Sequence, residues 1–280
     1  MNYGIEPNIL NSPYSLILSI SLIFGLIHLG NFLIKYFLKN VIKTNYKSEY
    51  IFYSPIVGSY FLLFFLYIVI IFELNSKLIL NYSGYFLLLL ALLFFYENRN
   101  LILNKSLLKK IIKELIFIDY VILILLFLLL LISASPPTHS DTLDYHISGA
   151  LNLLSYGHFN KEILPMNFNL VSVGEILIAI GLSLKAYEFG GMIQFVSLLA
   201  LIPLYFKSDK KFFLILILTC PITFFLSSTP KPQLLFVISS LLIFIFSHKY
   251  LDNIDKKKIK FIFPLILLVL AINGIAKYSF

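Results

Sequence analysis

The sequence predicts an all-α fold, a polytopic transmembrane helical protein with about eight spanning helices plus amphipathic interfacial helices in one outer loop. Two observations predict it. Of 280 residues, 59% are hydrophobic and 13% charged, whereas a soluble domain runs nearer a quarter charged because its water-facing surface must be polar. Apolar runs of about 18 residues or more also recur along the chain, each long enough to cross a hydrocarbon core roughly 30 Å thick.

The net charge of +8 does not point to nucleic acid, because the lysines gather in short segments between the apolar runs, as cytoplasmic loops do. The lone Cys220 lies in an apolar stretch and can form neither an internal disulfide nor a cysteine metal site. Met1 to Pro13 carries no lysine or arginine, so the first apolar run lacks the basic flank of a cleaved signal and is expected to be retained.

Taken in order, the first span covers Tyr14 to Leu38, and the following Lys39, Lys43 and Lys47 assign its far end to the cytoplasm. Spans at Ile51 to Phe72 and Leu78 to Tyr96 flank a turn at Glu73, Asn75 and Ser76. The chain is then back at the cytoplasm at Arg99, Lys105, Lys109, Lys110 and Lys113. A fourth span, Leu115 to Ile132, delivers the segment Ala134 to Pro165 to the outer face. The next apolar segment, Phe168 to Leu184, contains Gly174, Glu175 and Gly181 and reaches only about 25 Å as a helix. If it crossed, the basic loops Lys207 to Lys211 and His248 to Lys260 would lie outside, against the charge rule, so it is expected to lie at the interface or to re-enter. Spans then follow at Glu188 to Phe206, Phe212 to Leu226, Leu234 to Ser247 and Phe261 to Ile275. On this count the Ala134 to Pro165 loop, the Ser227 to Gln233 turn and the Ala276 to Phe280 end share the outer face.

The outer loop holds the densest cluster of reactive side chains. Pro136 and Pro137 stop the preceding helix, Thr138 or Ser140 can cap a new one, and Leu143, Ile147, Ala150, Leu151 and Leu154 recur at helical spacing, predicting an amphipathic surface helix. Asp141 and Asp144, three apart, fall on its first turn, where both carboxylates can address one point. With His139 and His146 they make four proton carriers or metal ligands between positions 139 and 146. A carboxylate at an apolar interface suits a general base acting on a hydroxyl; acids that simply cap a helix are the plainer alternative. As a metal site the set fits many ions, since oxygen and imidazole ligands without fixed spacing select none.

These residues, Pro-Pro-Thr-His-Ser-Asp-Thr-Leu-Asp-Tyr-His from Pro136 to His146, resemble the first outer loop of GT-C glycosyltransferases, polytopic enzymes that take sugars from polyprenyl-phosphate carriers. The pattern Asp-x-Leu-x-Tyr-His after a proline pair is similar to the Rgt-like and protein mannosyltransferase-like branch. Pro165 and Glu175, the turn Ser-Thr-Pro-Lys231-Pro-Gln233, and Lys277-Tyr278 resemble further family features in the same order. The resemblance implies Asp141 as the acid that activates the acceptor, Asp144 as its helper or a metal contact, and Lys231 and Lys277 against the donor phosphate. His146, Glu175 and Tyr278 would join the substrate site, and a divalent metal would rest on Asp141, Asp144 and His139. Gln233 stands where the family usually carries an acid. The partners implied are a polyprenyl-phosphate sugar, a lipid, glycan or protein acceptor, and membrane lipids; the location implied is a bacterial inner membrane with the active face outside. Residues 1–113 then form a three-span extension and 114–280 a core that family members continue further.

Three more residues draw attention. His28, in the first span, reads as a neutral imidazole bonded to a neighbouring helix. Asp119 reads as interfacial. Glu175, in an apolar segment, requires a partner or a cavity. Two competing functions stay open. A transporter or flippase of glycolipid type would place ionisable groups near mid-membrane, and a non-catalytic scaffold would keep the fold without the chemistry.

Overall fold

A computed structural model describes residues 13–37, 39, 48–102, 115–135, 146–158, 173–205, 210–250, 266, 269–270 and 272–273. Every regular element among them is helical. Three helices, Tyr14–Phe37, Ser54–Ile71 and Ser76–Arg99, are long and apolar enough to cross a membrane, the pattern of a multi-pass membrane protein. Shorter apolar helices complete the bundle.

Helix α1 (Tyr14–Phe37) buries one stripe of Ser15, Ser19, Leu22, Ile23, Gly25, Leu26, Leu29 and Gly30. Its other faces leave Ile17, Ile20, Phe32 and Tyr36 exposed. A helix apolar all round but packed on one side fits lipid on the other. Helix α2 (Ser54–Ile71) starts with Pro55 in its first turn, where the missing N–H costs nothing, and is the most enclosed of the three. Gly30 lies against the Ser54 backbone and Gly58 against the Leu26 carbonyl, so α1 and α2 meet backbone to backbone. Close approach of this kind is how membrane helices gain packing energy without help from water. Glu73 and Asn75, both with left-handed φ, turn the chain into α3 (Ser76–Ile102), whose Leu87 carbonyl abuts Gly25.

Helix α4 (Phe117–Ser133) carries Asp119 in its first turn, where it accepts the Ile116 N–H at 3.1 Å and the Lys211 ammonium at 2.6 Å. Asp119 is thus a buried, paired group at the start of its helix. Helix α5 (Ser148–Tyr156) closes on Gly157, whose φ of 81° is the left-handed cap that glycine adopts without strain, next to Ser76 and Lys77. It buries Gly149, Ala150, Asn152 and Leu153 against α6 and α3, a face that shares only Ala150 with the described part of the expected stripe, Ile147, Ala150, Leu151 and Leu154, while Leu143 lies outside the described residues.

Helix α6 (Gly174–Ser183) has 10 residues and is buried from Gly174 to Gly181. At about 1.5 Å per residue it reaches roughly 15 Å, half a bilayer core. The turn after it folds back at once, with Ala186 N–H donating to the Gly181 carbonyl at 2.8 Å and Lys185 at a φ of 59°. Helix α7 (Phe189–Leu199) follows, buried through Leu198. Pro203 removes the N–H that would continue it, and a short α8 (Ile202–Tyr205) follows. Pro221 likewise splits the expected single span into α9 (Lys211–Thr219) and α10 (Pro221–Ser227). The Ile217 carbonyl freed by the proline accepts Thr223 Oγ1 at 2.8 Å, the repair that apolar surroundings demand. Helix α11 (Gln233–Tyr250) completes the run.

Contacts between helix termini sort these elements onto two ends. At one, Ser133 meets Gly191, Gly190 meets Pro230, and Ser15 bonds Glu188. At the other, Asp119 pairs with Lys211 and α8 rests on the 3₁₀ turn Ser48–Phe52. The chain is at the first end at Ser135 and again at Glu188, with the short α6 between them. The first is the loop end below, the second the lysine end.

Candidate functional site

The loop end gathers polar groups that the apolar bundle has little reason to hold. Glu188, just before α7, is 6% exposed. Its Oε2 accepts the Ser15 hydroxyl and, at 3.3 Å, that of Ser19. These serines lie four apart on α1, on the face turned to α7. Ser15 Oγ also accepts the Tyr187 N–H at 3.0 Å. Beside Glu188 opens a small cleft lined by Ser133, Ser135, Tyr187, Glu188, Gly191, Ser228 and Pro230. One wall is the last turn of α4, where the outer loop departs; another is the turn that carries Lys231.

Gln194, on α7 and closed to solvent, fixes that second wall. Its Oε1 accepts the Leu234 N–H at 2.7 Å, an N–H of the first turn of α11 left without an intrahelical partner, and its Nε2 donates to the Lys231 carbonyl. Lys231 itself is half-buried at the turn, and Gln233 N–H closes it onto the Lys231 carbonyl at 2.7 Å.

The far side of the outer loop is tied down by a second buried pair. His146 Nδ1 and Glu175 Oε1 lie 2.5 Å apart, with the residues 6% and 0% exposed. This joins α5 to α6 and supplies the partner that Glu175 required. His146 and Glu175, expected in a substrate site, thus contact each other and are closed to solvent. His28 lies 3.9 Å from Glu97 on α3, a neighbouring helix.

Asp141, Asp144, His139, Lys277 and Tyr278 lie outside the described residues, as do Pro165 and the capping candidates Thr138 and Ser140. Among the described residues no group of three or more histidine, cysteine, aspartate or glutamate side chains could hold a metal ion, and the expected set of Asp141, Asp144 and His139 is not among them. Sequence reasoning took Glu188 only as the edge of a span and did not single out Gln194, Ser15 or Ser19. The available signal was polarity inside apolar runs, Tyr-Glu188-Phe-Gly-Gly and Met-Ile-Gln194-Phe above all.

The family described as DUF1420 N-terminal domain matches residues 1–100 and 92–280. No curated protein and no solved structure matches the chain.

Proposed function

The chain belongs to the DUF1420 N-terminal domain family, and for this member we propose transfer of a glycosyl group from a polyprenyl-phosphate sugar to an acceptor hydroxyl at the loop end of the bundle. Asp141 takes the acceptor proton as the hydroxyl oxygen attacks the anomeric carbon. The bond from that carbon to the phosphate oxygen breaks, and the polyprenyl phosphate leaves with its charge met by Lys231 and Lys277. An ammonium on a flexible stem suits this role, since it can follow the phosphate as charge develops. Asp144 assists Asp141 from one turn away. The His146 and Glu175 pair acts as a positioning device, holding the chain two residues beyond Asp144.

The observation that carries this reading is that both sides of the outer loop are anchored at the same end of the bundle as the Lys231 turn. Ser133 and Ser135 share the cleft with Ser228 and Pro230, and His146 is fixed on Glu175. A carboxylate loop and a cationic turn brought to one mouth is what a reaction with an anionic leaving group requires. The bundle reads as about eight crossings, namely α1, α2, α3, α4, α7 with α8, α9 with α10, α11 and the segment Phe261 to Ile275. The lysine end, with Lys35, Arg99, Lys210 and Lys211, faces the cytoplasm under the charge rule, which puts the loop end outside.

The test is Asp141→Asn in membranes supplied with a radiolabelled polyprenyl-phosphate hexose. Loss of a general base lowers transfer by about 10²–10⁴-fold while insertion stays at the level of the parent chain. Unchanged transfer in a properly inserted variant overturns the role of Asp141.

A further inference from the structure

Glu188 is a buried carboxylate with no basic side chain against it among the described residues, unlike Asp119, which has Lys211. Its hydrogen-bond partners among the described residues are the Ser15 and Ser19 hydroxyls, both on one oxygen, Oε2, and Oε1 takes neither bond. Two neutral hydroxyls soften the loss of water but leave the charge in place. The helix termini do not remove it either. The starts of α1 and α7 bring partial positive charge toward it and the end of α4, at Ser133, partial negative charge, and none of these is a counter-ion.

The cleft beside it is built of oxygen. Ser133, Ser135 and Ser228 bring hydroxyls, and among the described residues the lining holds no lysine, arginine or histidine. Ser135 and Ser228 each spend their hydrogen on a carbonyl of their own helix, Leu131 at 2.8 Å and Phe225 at 2.7 Å, which leaves their lone pairs for another group. Ser133 Oγ, in a residue 2% exposed, has no hydrogen-bond partner among the described residues, and deeper at the same end Ser227 Oγ has none either. An unbonded buried hydroxyl beside an uncompensated carboxylate points to an occupant that needs oxygen ligands and brings positive charge.

We propose that this cleft binds one small monovalent cation of the sodium class, with Glu188 as its charged ligand and Ser133 Oγ as a neutral one. A hard cation takes oxygen donors, and a single carboxylate balances one charge rather than two. The ion would tie α1, α4, α7 and the Ser228 turn together at the point where the outer loop begins. The proposal does not depend on glycosyl transfer, since its readout is ion binding.

The experiment uses the full chain in lipid nanodiscs and sodium ion alone. Melting is followed as sodium chloride replaces choline chloride at constant ionic strength, alongside binding of radioactive sodium. The expected result is a saturable, sodium-specific rise in melting temperature and binding near one ion per chain. Glu188→Gln, which keeps the shape and removes the charge, loses both. Ser133→Ala, which removes one ligand and no hydrogen bond, weakens binding about tenfold and stands as the deciding variant where Glu188→Gln fails to fold. A melting temperature that ignores the identity of the cation, with no sodium bound, overturns the proposal and assigns Glu188 a proton instead.

Discussion

Replacing Glu175 by alanine separates two accounts of the pair it forms with His146: a packing accident, or the clamp that fixes the outer loop. Both residues are closed to solvent and their bond is 2.5 Å long. Truncating one partner leaves the other buried without its bond, and for pairs of this kind the loss is about 3–5 kcal/mol. Glu175→Gln keeps the length and an acceptor oxygen, so about 1–2 kcal/mol is expected. The double variant Glu175→Met with His146→Phe replaces both groups by apolar ones, leaving neither stranded, and so loses much less than the two single losses added. A double-mutant cycle in mixed micelles is expected to return a coupling above about 2 kcal/mol. Hydrogen exchange adds a local readout. Residues 146–158 lose protection in Glu175→Ala while α1, α2 and α3 keep theirs, because α5 is held chiefly by α6 and the start of α3. A coupling below about 0.5 kcal/mol, or unchanged exchange in α5, refutes the clamp.

Two further outcomes follow from the same geometry. Gln194→Leu strips the first turn of α11 of its Leu234 N–H acceptor and the Lys231 carbonyl of one of its two donors; a loss of about 1–3 kcal/mol is expected, read as a lower melting temperature, and an unchanged one would show the cap to be idle. In a Cys220→Ser background, cysteines at positions 210 and 228 should react with an impermeant thiol reagent from opposite faces, since the first adjoins the Asp119 and Lys211 pair and the second lines the loop-end cleft; labelling from one face alone would place the crossing elsewhere.

The long spans were legible because a lipid-facing helix is specified by its own composition. Tyr14 to Leu38 became Tyr14–Phe37, and Leu115 to Ile132 became Phe117–Ser133, with no knowledge of neighbours needed. The expectation that the chain turns back at Phe168 to Leu184 rested on a different reason, and of that segment the structure describes a buried helix of 10 residues, Gly174–Ser183. The segment is too short for a bilayer, and its crossing would have put two basic loops on the wrong side. The breaks were missed although their cause was in view. Pro203 and Pro221 sit in runs that hydropathy joins, since a proline leaves mean hydropathy high while removing the hydrogen bond that keeps a helix whole.

The site divides along the same line. That Glu175 needed a partner followed from one residue and its surroundings, but the identity of that partner depended on how the chain from His146 to Glu175 folds back, and no local pattern encodes it. Glu188 presents the stronger case. Its serines come from α1, more than 160 positions earlier, and the cleft beside it from α4 and the Ser228 turn. Each of those residues taken alone is unremarkable in a membrane helix, where serine commonly bonds a carbonyl one turn back, as Ser135 does with Leu131. What distinguishes the set is that four segments bring oxygen to one point and no basic side chain, among the described residues, pairs with Glu188 there. Burial of a carboxylate is a property of an assembly, so it becomes visible once the helices are placed, and that placement turns an unremarkable glutamate at the edge of a span into a buried group held by two serines of α1.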